Sequence, residues 1–535
     1  MGYGIKPIPH IKENDMSGIS PDSNIKIYKN VPLDNTYNHT LYFANVAAQN
    51  AYFHGSASVQ HSLTAQSYQR VRKGAMRIAV NAESLYTCNY LAFQNHAYGT
   101  KWFYAFITSV EYVNDTTSEV TFEIDVMQTY FFDVTLKQCF VEREHSETDE
   151  LFGNIQPEPV SLGEYVDDTD NGVLGQYHSN NPVIIVAKSA DSQHQGNVYD
   201  GIFSGAQLFA FRYDDMASIV TFLDNYINQP DQILGIYMVP NQLYPWAIPT
   251  GGTPLGGNAQ ASTESGFSIT TCYGTEDFDG YTPKNKKLYT YPYNFVRVDN
   301  NCGQSLNLRF EFGTYGTLYY ELTGTLTQPV KMVLRPMYYK NRTVSRSESL
   351  TIDGIPACSW NIDAYKQWVA QNSIPIALQT VAGVGTSAIA AAFSAHPIGA
   401  LATGVIGTVA HVLSQNYEAS IAADQCRGNL ANSNVNFAKG TLQFYWTRTH
   451  ITKEYAKVID DFFTMFGYAT NRVKYPNRSA RSRWNYTKTV GCVVVGNAPA
   501  EDVKTICQIY DNGITFWKNA SEVGNYSLSN DVPSP

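Results

Sequence analysis

Period-two alternation of apolar and polar positions is the strongest local signal in this chain. In SEVTFEIDV, Val120, Phe122, Ile124 and Val126 fall on one face and Thr121, Glu123 and Asp125 on the other, as in a half-buried antiparallel strand. The preceding run KWFYAFITSVEYV reaches it through Asn114, Asp115, Thr116 and Thr117, a turn-forming cluster that predicts a hairpin. A second hairpin is expected from SLNLRFEF and TLYYELTGTL, with Leu306, Leu308, Phe310 and Phe312 inward and GTYG at the turn. Residues 151–287 are looser: NQPDQ, PTGGTPLGG and GYTPKNKK read as loops around strand-like pieces such as NPVIIVAK, which predicts a separate loop-rich domain. Helical spacing enters late. In TKEYAKVIDDFFTMFG, Tyr455, Val458, Ile459, Phe462, Phe463 and Phe466 follow the i, i+3, i+4, i+7 rule, and Gly467 sits where a terminating glycine belongs. In NAPAEDVKTICQIYDNGITFW, Asn497 is expected to cap a helix, Pro499 to fit its first turn, and DNG to end it before a strand over 514–517. The expected fold class is mainly β with some α (α+β). Several domains are expected, because single cores stop growing near roughly 250 to 300 residues and this chain has 535.

One stretch breaks the pattern. Residues 367–417 contain no Asp, Glu, Lys or Arg; Lys366 is the last charge before them and Glu418 the first after. Two apolar arms, 374–393 and 398–413, flank a turn-like break at His396 and Pro397, which suggests a helical or loop hairpin. In the first arm Ile374, Ile376, Leu378, Val381, Val384, Ile389 and Phe393 favour a bilayer by about 0.3 to 0.6 kcal/mol each, against Gln379, Thr380, Thr386, Ser387 and the glycines. In the second, Ile398, Leu401, Val405, Ile406, Val409, Val412 and Leu413 are opposed by glycines, threonines and His411. A span needs about 20 apolar residues, so each arm is close to the limit. The balance is near zero, which makes a poor constitutive anchor and a good conditional one. The alternatives are a buried helical hairpin with close small-residue packing and a degenerate dinucleotide loop at GVGTSA. The latter lacks an acidic residue about 20 positions on.

Composition narrows the function. A net charge of −10 argues against a surface built to hold nucleic acid, since such binding neutralises phosphates with Lys and Arg. A duplex could still pass through without sticking. With 38 tyrosines and only 16% charged residues, the chain suits extensive sheets and large subunit contacts. Cys88, Cys139, Cys272, Cys302, Cys358, Cys426, Cys492 and Cys507 are scattered singly, so buried free thiols are expected rather than a metal or redox site. The N-terminus lacks a secretory pattern. In VDDTDNG, Asp167, Asp168 and Asp170 lack calcium-loop register and read as a solvated acidic loop. The basic run with Arg472, Lys474, Arg478, Arg481 and Arg483 is expected to pair with carboxylates of a neighbouring subunit rather than with phosphates. Neither GxSxG, HExxH nor a P-loop occurs, so no catalytic residues, cofactor or metal are assigned and the chain is not read as an enzyme.

Several long blocks carry a resemblance. FQNHAYGTKWFYAFITSVEY, FEIDVMQTYFFDV and VEREH in the first half, and LYTYPYNFV, DDFFTMFGYATNRVKYPN and YDNGITFWKNASEVGNYS in the second, keep their order across the chain. Together they resemble the tail knob, or distal tail tube, proteins of short-tailed phi29-like bacteriophages of Gram-positive bacteria. The likeness is dense at both ends and thin from about 150 to 287, where the middle is shorter and hardly alignable.

The resemblance implies a homo-hexameric tube at the distal end of the virion tail, with β-barrel or sandwich-like tube domains from the N- and C-terminal parts and the middle forming the knob. The implied segments are 1–148, N-terminal tube domain; 149–287, loop-rich knob; 288–360, β-domain; 361–435, apolar membrane-active loop; and 436–535, C-terminal tube segment. The implied partners are the upper tail (connector or lower collar) protein, tail-tip proteins, double-stranded DNA in passage, and the host cytoplasmic membrane. Residues 367–417 match the loop that plugs the lumen and later inserts as a pore, with His396, Pro397 and His411 at the tip or as pH-sensitive positions. The rival expectation is a surface adhesin or wall-degrading knob, in which the apolar hairpin is packed core.

Overall fold

The computed structural model describes residues 23–352, 357–358 and 444–533, short internal stretches of the first range excepted. The described chain is mostly strand and divides into two compact units, Met1–Val160 with Val458–Pro535, and Ser161–Lys457.

The first unit is built from both chain ends. Its larger sheet runs Val59–Gln66, Ser23–Lys29, Cys88–Asn95, Trp102–Asn114, Thr117–Ile124, Ala75–Ile78, Arg70–Arg72, all antiparallel. The smaller runs His39–Leu41, Ile514–Trp517, Trp484–Val490, Cys139–Glu144, Tyr468–Lys474. Between them lies an aromatic core in which Tyr28, Tyr90, Tyr104 and Phe53 meet Trp484 and Trp517. Phe53 stacks on Tyr90 at 5.6 Å and the two tryptophans lie 5.0 Å apart. Each such side chain contributes about 1.5 to 3 kcal/mol by burial, so the N-terminal sheet and the C-terminal strands depend on one another.

The first expected hairpin is present: Asn114 pairs with Thr117, and Val120 and Phe122 are buried. The strand stops at Ile124, however, and Val126 begins a one-turn helix, Val126–Tyr130. The Asp125 carboxylate accepts the Gln128 N–H at 3.0 Å and so starts that helix in place of another strand residue. The late helices also form. Lys453–Phe466 ends at Gly467 with φ +66, and Ala500–Asn512 ends at Gly513 before the strand Ile514–Trp517, with Pro499 rather than Asn497 at the cap position. In Lys453–Phe466 the buried stripe is Ala456, Ile459, Asp460 and Phe463, so Tyr455 and Val458 face solvent, one position away from the expected face.

The second unit has three main sheets. One orders Tyr165–Leu174, Phe444–Ile451, Asn294–Asp299, Ser305–Leu308; another orders Thr253–Pro254, Ala206–Arg212, Val183–Ser189, Ile233–Val239, Ala357–Cys358; the third orders Glu264–Thr271, Thr317–Thr325, Lys331–Tyr339, Arg342–Val344. The run NPVIIVAK supplies the central strand Val183–Ser189, buried from Val183 to Lys188. The region read as loop-rich also holds a helix, Met216–Asp224, which seats Phe222 4.6 Å from Phe209.

The second expected hairpin does not form. Ser305–Leu308 pairs with Asn294–Asp299, while Thr317–Thr325 lies between Glu264–Thr271 and Lys331–Tyr339 in another sheet. The cause is the 3-10 turn Phe310–Phe312, which redirects the chain and buries Phe310 fully. GTYG still makes a tight turn, with Tyr315 and Gly316 at positive φ. The acidic run likewise differs from a solvated loop: it is a bulged part of strand Tyr165–Leu174. Asp167 pairs with Arg297, Asp168 lies 3.4 Å from Arg448, and Asp170 accepts the Thr270 hydroxyl at 3.0 Å.

Candidate functional site

Strand Cys139–Glu144 carries an unusual load for a central strand. Alternation places Cys139, Val141 and Arg143 on its buried side, and the following His145 is also enclosed. A charged Arg in that position must be paired. Its guanidinium forms an ion pair with Glu158, whose side chain is fully enclosed, donates to the Gly467 carbonyl at 2.7 Å, and lies 4.6 Å over the Phe462 ring. Glu158 also accepts the Ala469 N–H at 2.7 Å. Glu144, 2% exposed, pairs with Lys474 and accepts the Asn477 N–H at 2.9 Å.

His145 completes this seam. Its Nδ1 accepts the Tyr486 N–H at 2.8 Å, and Nε2 lies 3.1 Å from the Thr464 carbonyl, so the network requires the neutral Nε2–H tautomer. Burial first, then the positive charges of Arg481 and Arg143, pushes its pKa down to about 3. The Trp484 indole donates to the same Thr464 carbonyl at 3.0 Å, and the Tyr468 hydroxyl to Asp149 at 2.6 Å. With both ring nitrogens engaged, this histidine is a strut, not a general base. Every partner in the seam is drawn from residues 141–158 or 462–486, so its chemistry fastens the two ends of the chain into one unit.

Gly467 leaves no room for a side chain. It adopts φ +66, and a Cβ there would stand 2.2 Å from the Glu144 carbonyl oxygen. Gly467→Ala is therefore expected to cost at least about 2 kcal/mol, from left-handed strain plus a backbone clash. Denaturant titration checks this: an unchanged midpoint would contradict the geometry.

A second buried network supports the sheet. Asp125 accepts the Tyr90 hydroxyl at 2.8 Å. Burial raises its pKa to about 6, although hydrogen bonds from Gln128, Tyr90 and Met127 pull the other way. Gln128 donates to Thr40 and to the Leu41 carbonyl at 2.9 and 2.8 Å, and Gln49 donates to Gln128. Asp125 lies in FEIDVMQTYFFDV and Arg143 and His145 in VEREH, two of the blocks singled out in the sequence. Sequence inspection did not assign them roles; the signal available was a charge and an imidazole in period two with Cys139 and Val141.

Two members of the basic run, Lys474 and Arg483, meet carboxylates within this chain. Lys474 meets Glu144, Arg483 meets Glu522, and Arg478 lies 4.8 Å over Phe131. Strand pairing of Cys139–Glu144 with Tyr468–Lys474 is what brings the first pair together. Among the described residues no group of His, Cys, Asp and Glu is arranged to hold a metal, and no helix is long and apolar enough to cross a membrane. The residues expected to insert or to form the tip, Ile374, Ile376, Leu378, Val381, Val384, Ile389, Phe393, His396, Pro397, Ile398, Leu401, Val405, Ile406, Val409, His411, Val412 and Leu413, lie outside the described residues.

Residues 258–531 match the family model of the Bacillus phage phi29 tail knob protein gp9 C-terminal domain, and residues 21–135 match that of the caudoviral major tail protein N-terminus. Tail knob protein gp9 of Bacillus phage B103 is 26% identical, with 95% of this chain and 98% of that protein aligned. The same protein of Bacillus phage phi29 is 24% identical over the same shares. Among solved structures, the bacteriophage C1 tail knob protein gp12 superposes with a TM-score of 0.59 at 16% identity, covering 96% of this chain and 100% of that one.

Proposed function

The chain belongs to the phi29-type tail knob protein family, and on that premise we propose that it assembles as a homo-hexameric distal tail tube through which the genome leaves the virion. Its role as a structural tail knob protein of phi29-like phages follows from the family. The conduit, the lumen plug and the membrane pore are the further steps, and we read the protein as non-enzymatic in all of them.

The observation that carries the pore reading is the uncharged stretch 367–417. The described strands on either side of it, Ala357–Cys358 and Phe444–Ile451, are each hydrogen-bonded into sheets of the second unit. A segment leaving and returning between two anchored strands can change its surroundings without unfolding those sheets. Six marginal hairpins tethered in one ring insert together, because high local concentration makes the second and later insertions effectively intramolecular. The acidic balance suits passage of DNA, since carboxylates repel phosphates. His396 and His411 resist insertion when charged and permit it when neutral. The partners on this reading are the upper tail protein above, tail-tip proteins below, and the host cytoplasmic membrane.

Purified protein should appear as six-fold rings or tubes by electron microscopy and should release dye from liposomes. Deleting residues 380–408, or placing Lys at Ile389 and Val405, should abolish release and leave assembly intact. A monomer would overturn the tube. An assembled variant that leaks dye as well as the parent would overturn the pore.

A further inference from the structure

Cysteines that stand far apart in the sequence converge in the first unit. Cys139 opens strand Cys139–Glu144, Cys492 lies in the turn after Trp484–Val490, and Cys507 is on the helix Ala500–Asn512. Cys492 and Cys507 pack against the same apolar cluster, beside Val494, Ile506 and Tyr510, and the pairing of Phe140 with Val490 and of Leu136 with Val494 brings Cys139 beside the same turn. Cys139 is buried, whereas Cys492 and Cys507 are half-buried and within reach of a small oxidant.

The turn is held at one point and loose at the next. The Cys492 N–H donates to Asp511 Oδ1 at 3.0 Å, and the Thr489 hydroxyl donates to the same oxygen at 2.7 Å, which ties Cys492 to the helix that carries Cys507. Gly491, at φ +68, has open space where a side chain would stand. Burial pushes the Cys139 and Cys492 thiols up, which lowers their thiolate fraction and makes the exchange slow.

We propose that Cys492 and Cys507 are a disulfide-forming pair that stitches the helix Ala500–Asn512 to the turn after Trp484–Val490 once the protein meets an oxidising solution. The oxidant is a small-molecule disulfide. One protein thiolate attacks it, forming a mixed disulfide and expelling one thiolate. The second protein thiolate attacks the protein sulfur of that mixed disulfide and expels the other. Two protein thiols lose two electrons and two protons, and the small disulfide becomes two thiols. Virion surfaces are a setting in which such bonds persist. The inference is independent of the conduit and pore readings.

The test uses the full-length protein incubated with excess oxidised glutathione, denatured in N-ethylmaleimide and mapped by mass spectrometry. Two of the eight thiols should escape alkylation, with a reducible peptide joining Cys492 to Cys507. C492S and C507S should each lose it and C139S should keep it. Because the bond closes a loop of about 15 residues, oxidation should raise Tm by several degrees in the parent and not in C507S. Alkylation of all eight thiols, glutathione adducts with no bridge, a bridge at Cys139, or zinc-dependent protection reversed by a chelator would each overturn the proposal.

Discussion

Glu158→Gln should destabilise the first unit by about 3 to 5 kcal/mol, the range found when one partner of a buried ion pair is removed. The magnitude follows from enclosure. The Glu158 side chain is fully buried and that of Arg143 is 9% exposed, so water cannot replace the lost carboxylate. The Gly467 carbonyl and the Phe462 ring remain around the guanidinium, but neither carries a compensating charge. The double variant R143M/E158M should recover part of the loss, because replacing both members removes the unpaired charge, although the Gly467 carbonyl loses its donor and the Ala469 N–H its acceptor. Hydrogen exchange at the Ala469 and Tyr486 amides, whose partners are Glu158 and His145, reads this unit directly. Unchanged exchange in E158Q would show that the seam is not what holds the chain ends together.

The second large effect is a masked pH dependence. His145 has a pKa of about 3 in the fold against 6.5 ordinarily. The unfolded chain therefore takes up a proton that the folded chain refuses. Its stabilisation is complete above pH 6.5 and is lost as pH falls toward 3, by about 5 kcal/mol in total. Asp125 works oppositely, with a pKa of about 6 in the fold against 3.8. Its contribution is complete below 3.8 and is lost as pH rises through 6, about 3 kcal/mol. Between pH 4 and 6 the two slopes nearly cancel. Asp125→Asn should expose the histidine, so that stability relative to the parent falls by about 1.4 kcal/mol for each unit of pH lowered from 6 to 4. His145→Gln should expose the aspartate and give a relative gain over the same interval. Measuring each variant against the parent cancels the other titrating groups. Two difference curves that stay flat would refute both assignments.

Local signals in the sequence carried a good part of the architecture. The hairpin around Asn114 and Thr117, the helices ending at Gly467 and Gly513 and the strand over NPVIIVAK all rest on periodicity and terminating residues that act over a few positions. The errors arose where a local pattern had competing solutions. TLYYELTGTL could pair with any apolar strand, and the turn at Phe310 sent its expected partner to another sheet. Tyr455 and Ala456 begin two overlapping stripes on one helix, and packing chose the second. The acidic run carries no strand signal of its own, because its arginine partners, Arg297 and Arg448, lie far along the chain.

By itself the sequence determined that this protein is mainly β, that residues 367–417 are free of charge, and, through its ordered blocks, which family it resembles. Alternation, turn chemistry and composition are properties of neighbouring residues, so they can be read without coordinates. Only the tertiary structure decided that Arg143 belongs to Glu158, that His145 bridges Thr464 and Tyr486, and that Cys139, Cys492 and Cys507 meet. Those contacts join positions that are neighbours only after the sheets have formed, and no spacing rule along one chain encodes which distant strand will arrive beside another.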